Sequence, residues 1–223
     1  RVQHFVRLAR RRWGDGAYVI KADISKYFAS IRHDVLMTEI ARVISDPDVL
    51  WLIRRIIAAY DHDDGVGLPV GALTSQLSAN IILNRLDHFA KDGMGLEYYV
   101  RYMDDFVVIA PDKPGAQKAL ELLEQSVNAL ALTLNPKTAY HPWQRGIDFA
   151  GYRIWPTHIL PRKRNIKRAR SSFKKLAKAY AAGKISVSAV QQRVHAFRAY
   201  TKHCCAAATT EAPAALDFEL PAA

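Results

Sequence analysis

Two adjacent carboxylates, Asp104 and Asp105, interrupt an otherwise apolar stretch of the chain. Tyr and Met precede them and Phe-Val-Val-Ile follows, so residues 98–109 predict a β-hairpin with both acids at or near its turn. Two desolvated charges in such a place repel each other unless a cation lies beside them. Because Asp-Asp is also common in solvent-facing turns, the pair alone leaves a catalytic and a structural interpretation open.

A third carboxylate, Asp23, lies near the end of another β-rich run at residues 18–24. Acids from two strands can together hold two Mg²⁺ ions, because hard divalent cations prefer oxygen ligands. Two such ions, about 3.5–4 Å apart, activate an attacking hydroxyl and stabilise a departing pyrophosphate. The pattern therefore favours phosphoryl transfer at Asp23, Asp104 and Asp105, with two Mg²⁺ ions as cofactors and Mn²⁺ as the alternative.

Strands and helices are mixed in the first 155 residues, and the pattern is helical afterwards. Before residue 60 we predict two short helices. Asp34 caps the first, which carries Val43, and Pro47 opens the second. Further along we predict a strand at 147–154 and helices at 75–89, 115–130, 162–180 and from 187 onwards. This order indicates an α+β domain followed by a small helical lobe.

The net charge of +11 is concentrated in two segments. Residues 1–12 hold five arginines and no acid, and residues 161–204 hold 13 Lys or Arg and no Asp or Glu. A charge run is usually a solvated helix face. A 44-residue segment without any acid goes beyond what solubility requires, and neutralising phosphates is the usual reason for such a bias. The composition therefore predicts a nucleic-acid partner.

Composition also argues against other classes of protein. No apolar stretch is long enough to cross a bilayer, so no membrane partner is expected. The two cysteines, Cys204 and Cys205, are adjacent. They lack the spacing of a zinc site, and a disulfide between neighbours is strained. Two reduced thiols predict a cytoplasmic protein.

Five short motifs resemble those of reverse transcriptases and occur in the order of that family. They are residues 23–28 (Asp-Ile-Ser-Lys-Tyr-Phe), 67–76 (Gly-Leu-Pro-Val-Gly-Ala-Leu-Thr-Ser-Gln), 102–105 (Tyr-Met-Asp-Asp), 135–138 (Asn-Pro-Lys-Thr) and 149–152 (Phe-Ala-Gly-Tyr). The resemblance implies a polymerase palm, with an antiparallel sheet packed on helices, followed by a helical thumb. It also implies an RNA-directed DNA polymerase that adds deoxynucleotides (dNTPs) to a DNA primer on an RNA template.

The resemblance assigns roles by position. Asp23, Asp104 and Asp105 would hold the metal ions, and Lys137 would protonate the departing pyrophosphate. The incoming nucleotide would lie against five residues: Ile24, Phe28, Val70, Gly71 and Gln76. The ring of Phe28 would exclude a 2′-hydroxyl, which favours deoxynucleotides. Phe149 and Gly151 would form the primer grip.

The motifs also divide the chain. Residues 1–14 would be a remnant of the fingers, 15–160 the palm, 161–204 the basic thumb, and 205–223 a disordered tail. Because only 22 residues precede Asp23, most of the fingers would be missing, and we expect the chain alone to polymerise poorly.

The loop around Val70 indicates a subfamily. Most reverse transcriptases have Gln where Val70 stands and Pro where Gln76 stands. The form found here resembles the enzymes of diversity-generating retroelements, in which an aliphatic residue at this position goes with error-prone copying opposite template adenines. An accessory protein of the retroelement would then be a further partner. Group II intron and retron enzymes, and a palm that binds RNA without catalysis, remain the alternatives.

Overall fold

The computed structural model describes residues 1–59, 65–69 and 71–205. The chain divides into two compact units, one ending at Arg145 and the other beginning at Gly146, and each is described by itself. The predicted mixture of helices and antiparallel strands is confirmed. The assignment of parts of the chain to fingers, palm, thumb and tail stays a prediction, and residues 206–223 of the predicted tail lie outside the described residues.

In its described residues, the first unit combines six α-helices with one four-stranded sheet. The strands are β1 (Tyr18–Asp23), β2 (Tyr99–Tyr102), β3 (Asp105–Ala110) and β4 (Ala139–Pro142). The helices are α1 (Val2–Trp13), α2 (Tyr27–Ser30), α3 (His33–Ala41), α4 (Pro47–Ala58), α5 (Leu73–His88) and α6 (Lys113–Asn128). The strands pair antiparallel in the order β2-β3-β1-β4, which places β1 and β3 at the centre.

Side chains alternate between the two faces of the sheet along β1 and β3. The even-numbered residues enter the main hydrophobic core with α3, α5 and α6; they are Ile20, Ala22, Phe106, Val108 and Ala110. The odd-numbered residues, which include Asp23 and Asp105, form the opposite face. Part of that face is also covered, because Val19, Val107 and Ile109 are buried outside the main core and α1 packs against β3.

Local sequence determines where several helices begin. As predicted, α4 begins at Pro47, and the side chain of Asp46 accepts the N–H groups of the next turn at 2.9 and 3.1 Å. The prediction that Asp34 caps α3 is wrong. Asp34 lies in the first turn of that helix, where it pairs with Arg32. Val43 is not on that helix either, since α3 ends at Ala41 and Val43 is 88% exposed.

Up to Cys205, the second unit contains a small three-stranded sheet and two α-helices. The strands β5 (Ile147–Phe149), β6 (Tyr152–Ile154) and β7 (Ile159–Pro161) form an antiparallel sheet in chain order, followed by α7 (Lys163–Ala181) and α8 (Val187–Thr201). The prediction of one strand at 147–154 is wrong, because Ala150 and Gly151 have φ angles of 46° and 89° and turn the chain back. The rings of Phe173 and Phe197 pack edge to face between the helices, with centroids 5.5 Å apart.

None of the helices in the described residues combines the length and the apolar character that crossing a membrane requires. The exposed side chains of α7 are predominantly basic, and its first turn contains no acid.

Candidate active site

The three predicted acids meet at one end of the central strands. Asp23 is the last residue of β1 and Asp105 the first of β3, and the two stand directly opposite each other in the antiparallel register. Asp104 occupies the turn between β2 and β3. Asp105 therefore begins a strand rather than lying in the turn. The convergence of Asp23 with Asp104, on which the sequence interpretation depends, is present in the structure.

Burial raises the pKa of Asp104, and the neighbouring carboxylates of Asp23 and Asp105 raise it further. A raised pKa means that the folded protein resists ionisation of this group. The site therefore concentrates more negative charge than the fold accommodates without a counter-ion.

Lys21 supplies part of the missing positive charge. It lies two residues before Asp23 on the same face of β1, so it is a diagonal cross-strand neighbour of Asp105. The ammonium group forms an ion pair with the carboxylate of Asp105, and both side chains are 23% exposed. Our sequence interpretation did not assign a role to Lys21, although its period-two spacing from Asp23 could have indicated one.

Asn135 holds Asp23 in place. Its backbone N–H donates to the carbonyl of Asp23 at 2.7 Å, and its side-chain Nδ2 donates to Oδ2 of Asp23 at 3.1 Å. Its Oδ1 in turn accepts the backbone N–H of Lys137 at 3.0 Å. One side chain thus ties the turn that carries Lys137 to the carboxylate at the end of β1. Lys137, which follows Asn135 by two residues, is exposed. Asn135 lies within a motif noted from the sequence, but nothing in the pattern indicated this positioning role.

The chain matches the family described as reverse transcriptase (RNA-dependent DNA polymerase) over residues 3–154, which is more than half of its length. The chain belongs to the reverse transcriptase family. The recognition made from the five motifs is therefore confirmed at the level of the family.

Relatives of this reverse transcriptase chain are found among bacterial and fungal proteins. Protein YkfC of Escherichia coli (strain K12) is 27% identical over 201 residues, which cover 69% of this chain and 52% of YkfC. The putative COX1/OXI3 intron 1 protein of Saccharomyces cerevisiae (strain ATCC 204508 / S288c) is 31% identical over 94 residues, 39% of this chain and 11% of that protein. The chain therefore spans about half the length of YkfC and a small part of the intron protein.

A solved structure of telomerase from Candida albicans, in complex with the TWJ fragment of telomeric RNA, shares the fold. The TM-score is 0.55 at 12% sequence identity, and the match covers 90% of this chain and 42% of the telomerase chain. Together with the family match, this likeness confirms the predicted α+β, palm-like architecture of a reverse transcriptase.

The residues assigned to the incoming nucleotide are spread over several elements of the first unit. Phe28 lies on α2 and is half-buried against the main core. Gln76 is exposed on the first turns of α5, and Gly71 precedes that helix with a φ of 104°, a conformation that favours glycine. The side chain of Ile24 is buried in the core, so only its main chain is available to a ligand. Val70 lies outside the described residues.

The predicted primer-grip residues belong to the second unit. Phe149 is buried in β5, and Gly151 is in the β5–β6 turn. The carbonyl of Gly151 accepts the hydroxyl of Tyr200 at 2.7 Å and the side-chain amide of Asn165 at 3.3 Å. The helices α7 and α8 therefore hold this turn in place.

Reverse transcriptase domains generally use divalent metal ions. In the described part of this chain, no three His, Cys, Asp or Glu side chains form a ready-made metal-binding group. The ion pair with Lys21 gives a physical reason, because it engages the carboxylate of Asp105. The donor set nevertheless suits Mg²⁺ or Mn²⁺, since it consists of closely spaced carboxylates, and burial together with their repulsion raises the pKa of Asp104.

The raised pKa predicts that Asp104→Asn stabilises the metal-free protein at neutral pH, by less than about 1 kcal/mol because this partly exposed group is screened by solvent. The folded state binds the Asp104 proton more tightly than the unfolded state, so the free energy of unfolding falls as pH rises through the folded pKa. The advantage of the variant should disappear at acidic pH, where the carboxyl is protonated in both states. Chemical denaturation in a metal chelator, followed from acidic to neutral pH, measures this difference.

Asp34 provides a control of opposite sign. Its hydrogen bonds with Arg32 lower its pKa to about 2, so its charge stabilises the fold above the unfolded pKa, and this contribution is lost as pH falls. Asp34→Asn should therefore lower stability at neutral pH. If Asp104→Asn also lowered the stability at neutral pH, burial and repulsion could not be the cause of the raised pKa of Asp104.

Proposed function

We propose that this protein is an RNA-directed DNA polymerase whose reaction centre is formed by Asp23, Asp104 and Asp105. The observation that carries the proposal is the β1–β3 register, which brings Asp23 directly opposite Asp105 with Asp104 in the adjoining turn. Membership of the reverse transcriptase family and the intact set of three acids support it.

Two divalent ions would supply activation of the primer 3′-hydroxyl and stabilisation of the departing pyrophosphate. The residues of the chain would contribute by positioning the reactants and by electrostatic stabilisation, as is general for phosphoryl transfer. Asp23, Asp104 and Asp105 would hold these ions through their carboxylate oxygens. Asn135 orients Asp23. Lys137, whose backbone N–H donates to Oδ1 of Asn135, would deliver a proton to the departing pyrophosphate.

We also propose that the enzyme belongs to a diversity-generating retroelement and copies template adenines with errors. The loop sequence Val70-Gly71 with Gln76 supports this. Loss of a polar side chain at position 70 would weaken geometric checking of the new base pair. The alternative is an intron-encoded reverse transcriptase, which is favoured by the similarity to a protein named for intron 1 of COX1/OXI3. Copying an adenine-rich template at high fidelity would favour the intron alternative.

The proposed partners are an RNA template, a DNA primer, dNTPs and an accessory protein. The basic side chains of α7 support phosphate contacts that do not depend on sequence. A cytoplasmic location is proposed from the free thiols of Cys204 and Cys205.

Primer extension tests the main proposal. The natural protein that contains this chain is given an RNA template, a DNA primer, dNTPs and Mg²⁺, and is compared with Asp104→Asn. We expect extension by the wild type and a loss of about a thousandfold in the variant. Equal extension by both would refute the assignment, and tight RNA binding without extension by either would favour a non-catalytic RNA-binding palm.

A further inference from the structure

The turn that carries Asp104 has a strained backbone. Met103, the residue before Asp104, has a φ of 56°. The left-handed conformation is unfavourable for a residue with a side chain, so surrounding contacts must hold it. One such contact is a hydrogen bond of 2.9 Å from Nη1 of Arg101 to the carbonyl oxygen of Met103.

Arg101 lies on β2, and an ion pair with Asp87 fixes its side chain to α5. Its Nε and Nη2 donate to the two carboxylate oxygens of Asp87 at 2.8 and 2.5 Å, which is the planar fork geometry that arginine forms with carboxylates. The hydroxyl of Tyr99 donates to the same carboxylate at 2.6 Å. The side chain of Arg101 is 11% exposed, so this ion pair is shielded from solvent.

Burial opposes the charge of Arg101, but the ion pair with Asp87 outweighs it and the pKa of the guanidinium is raised. The guanidinium therefore stays charged while its third nitrogen remains available. That nitrogen, Nη1, also donates to Oδ1 of Asn80 at 3.1 Å. Asn80 in turn contacts Sδ of Met103 at 3.9 Å.

These contacts connect two parts of the site. The helix α5 carries Gln76, which is assigned to the incoming nucleotide, and the Asn80 side chain donates to the Gln76 carbonyl at 3.1 Å. The β2–β3 turn carries Asp104. A lysine could not make the same connection, because a single ammonium nitrogen cannot span the carboxylate of Asp87 and the carbonyl of Met103 in this geometry.

We propose that Arg101 is a positioning residue that fixes the Met103–Asp104 turn to α5 and thereby sets the carboxylate of Asp104 for metal binding. Arg101 touches no reacting atom in this role and acts through Asp104. The inference rests on the proposed function, since it concerns the same metal-binding acids.

The test is Arg101→Lys in the natural protein, which keeps the charge and removes the fork. Mn²⁺ affinity is measured by the electron paramagnetic resonance of free Mn²⁺, without substrate, and primer extension is measured against Mg²⁺ concentration. We expect Mn²⁺ binding to weaken about tenfold, and half-maximal extension to need about tenfold more Mg²⁺, as for the loss of groups that orient metal ligands. Template–primer affinity should stay unchanged.

Arg32→Lys is the matched control. Arg32 makes the same two-bond fork with Asp34, but on an exposed surface of the same unit. A general effect of replacing a fork-forming Arg by Lys would appear in both variants, whereas a weaker affinity for Mn²⁺ is expected in Arg101→Lys alone.

Asp87→Asn keeps the inference testable if Arg101→Lys does not fold. Asp87 contacts Arg101 and Tyr99, and its contact with Arg101 connects it to the Met103–Asp104 turn. Its replacement should weaken Mn²⁺ binding in the same direction. Wild-type Mn²⁺ affinity in a folded Arg101→Lys or Asp87→Asn protein would overturn the inference. If the wild type binds Mn²⁺ but does not extend primers, the proposed function fails, while the affinity comparison still decides the role of Arg101.

Discussion

Replacement of Asp23 by Asn should reduce the rate of primer extension by a factor on the order of 10³ or more, as is usual for groups that act as a unit at a catalytic centre. The amide keeps the size of the side chain and can still accept the hydrogen bond from Asn135. It loses the negative charge that faces Asp105 across the strand pair. Single-turnover extension with saturating template–primer and dNTPs measures the effect.

Asp15→Asn is the matched control for this substitution, because Asp15 is an exposed acid before the same strand. It removes one negative charge near β1 without touching the acids at the other end. We expect Asp23→Asn to keep its RNA affinity and to melt no lower than the wild type, so that the loss is in the chemical step. Extension at the rate of Asp15→Asn would mean that the polymerase site lies elsewhere.

Phe28→Ala should allow ribonucleotides into the product, with a loss of about a hundredfold in the preference for dNTPs over rNTPs. Phe28 is held by Tyr27, whose ring packs edge to face against it at 5.6 Å. Tyr27 is buried, and its hydroxyl donates to the carbonyl of Ala79 on α5. The ring of Phe28 thus rests on a rigid support, which a steric barrier requires. Incorporation ratios at a single template position measure the change.

Phe89→Ala serves as the comparison, since Phe89 is a partly buried aromatic residue beyond the end of α5. Both variants lose aromatic packing, but only Phe28→Ala should change sugar selection. The result that would remove Phe28 from the nucleotide site is an unchanged dNTP preference together with normal folding. A simple stability defect would instead lower extension with both kinds of nucleotide equally.

The ranges of several helices were predictable, because they depend on local sequence patterns. The helices α5, α6, α7 and α8 lie close to their predicted ranges. For α6 and α7 the reason is a distinct apolar face at helical spacing. The β5–β6 hairpin was less predictable. Its turn uses Ala150 and Gly151 at positive φ, and a short apolar run reads as one strand when such a turn lacks a strong signal.

The sequence by itself determined the identities of the three acids and the order of five motifs, because residue types and spacing are properties of the chain alone. Only the tertiary structure decided which side chains surround those acids. Strand register and a backbone turn bring Lys21 and Asn135 to these acids from distant parts of the chain. Arg101 lies near Asp104 in the chain, but its contact with Asp87 on α5 is what holds it there. Such contacts follow from how β1, β3 and α5 pack, and no local pattern encodes a partner 84 or 112 positions away.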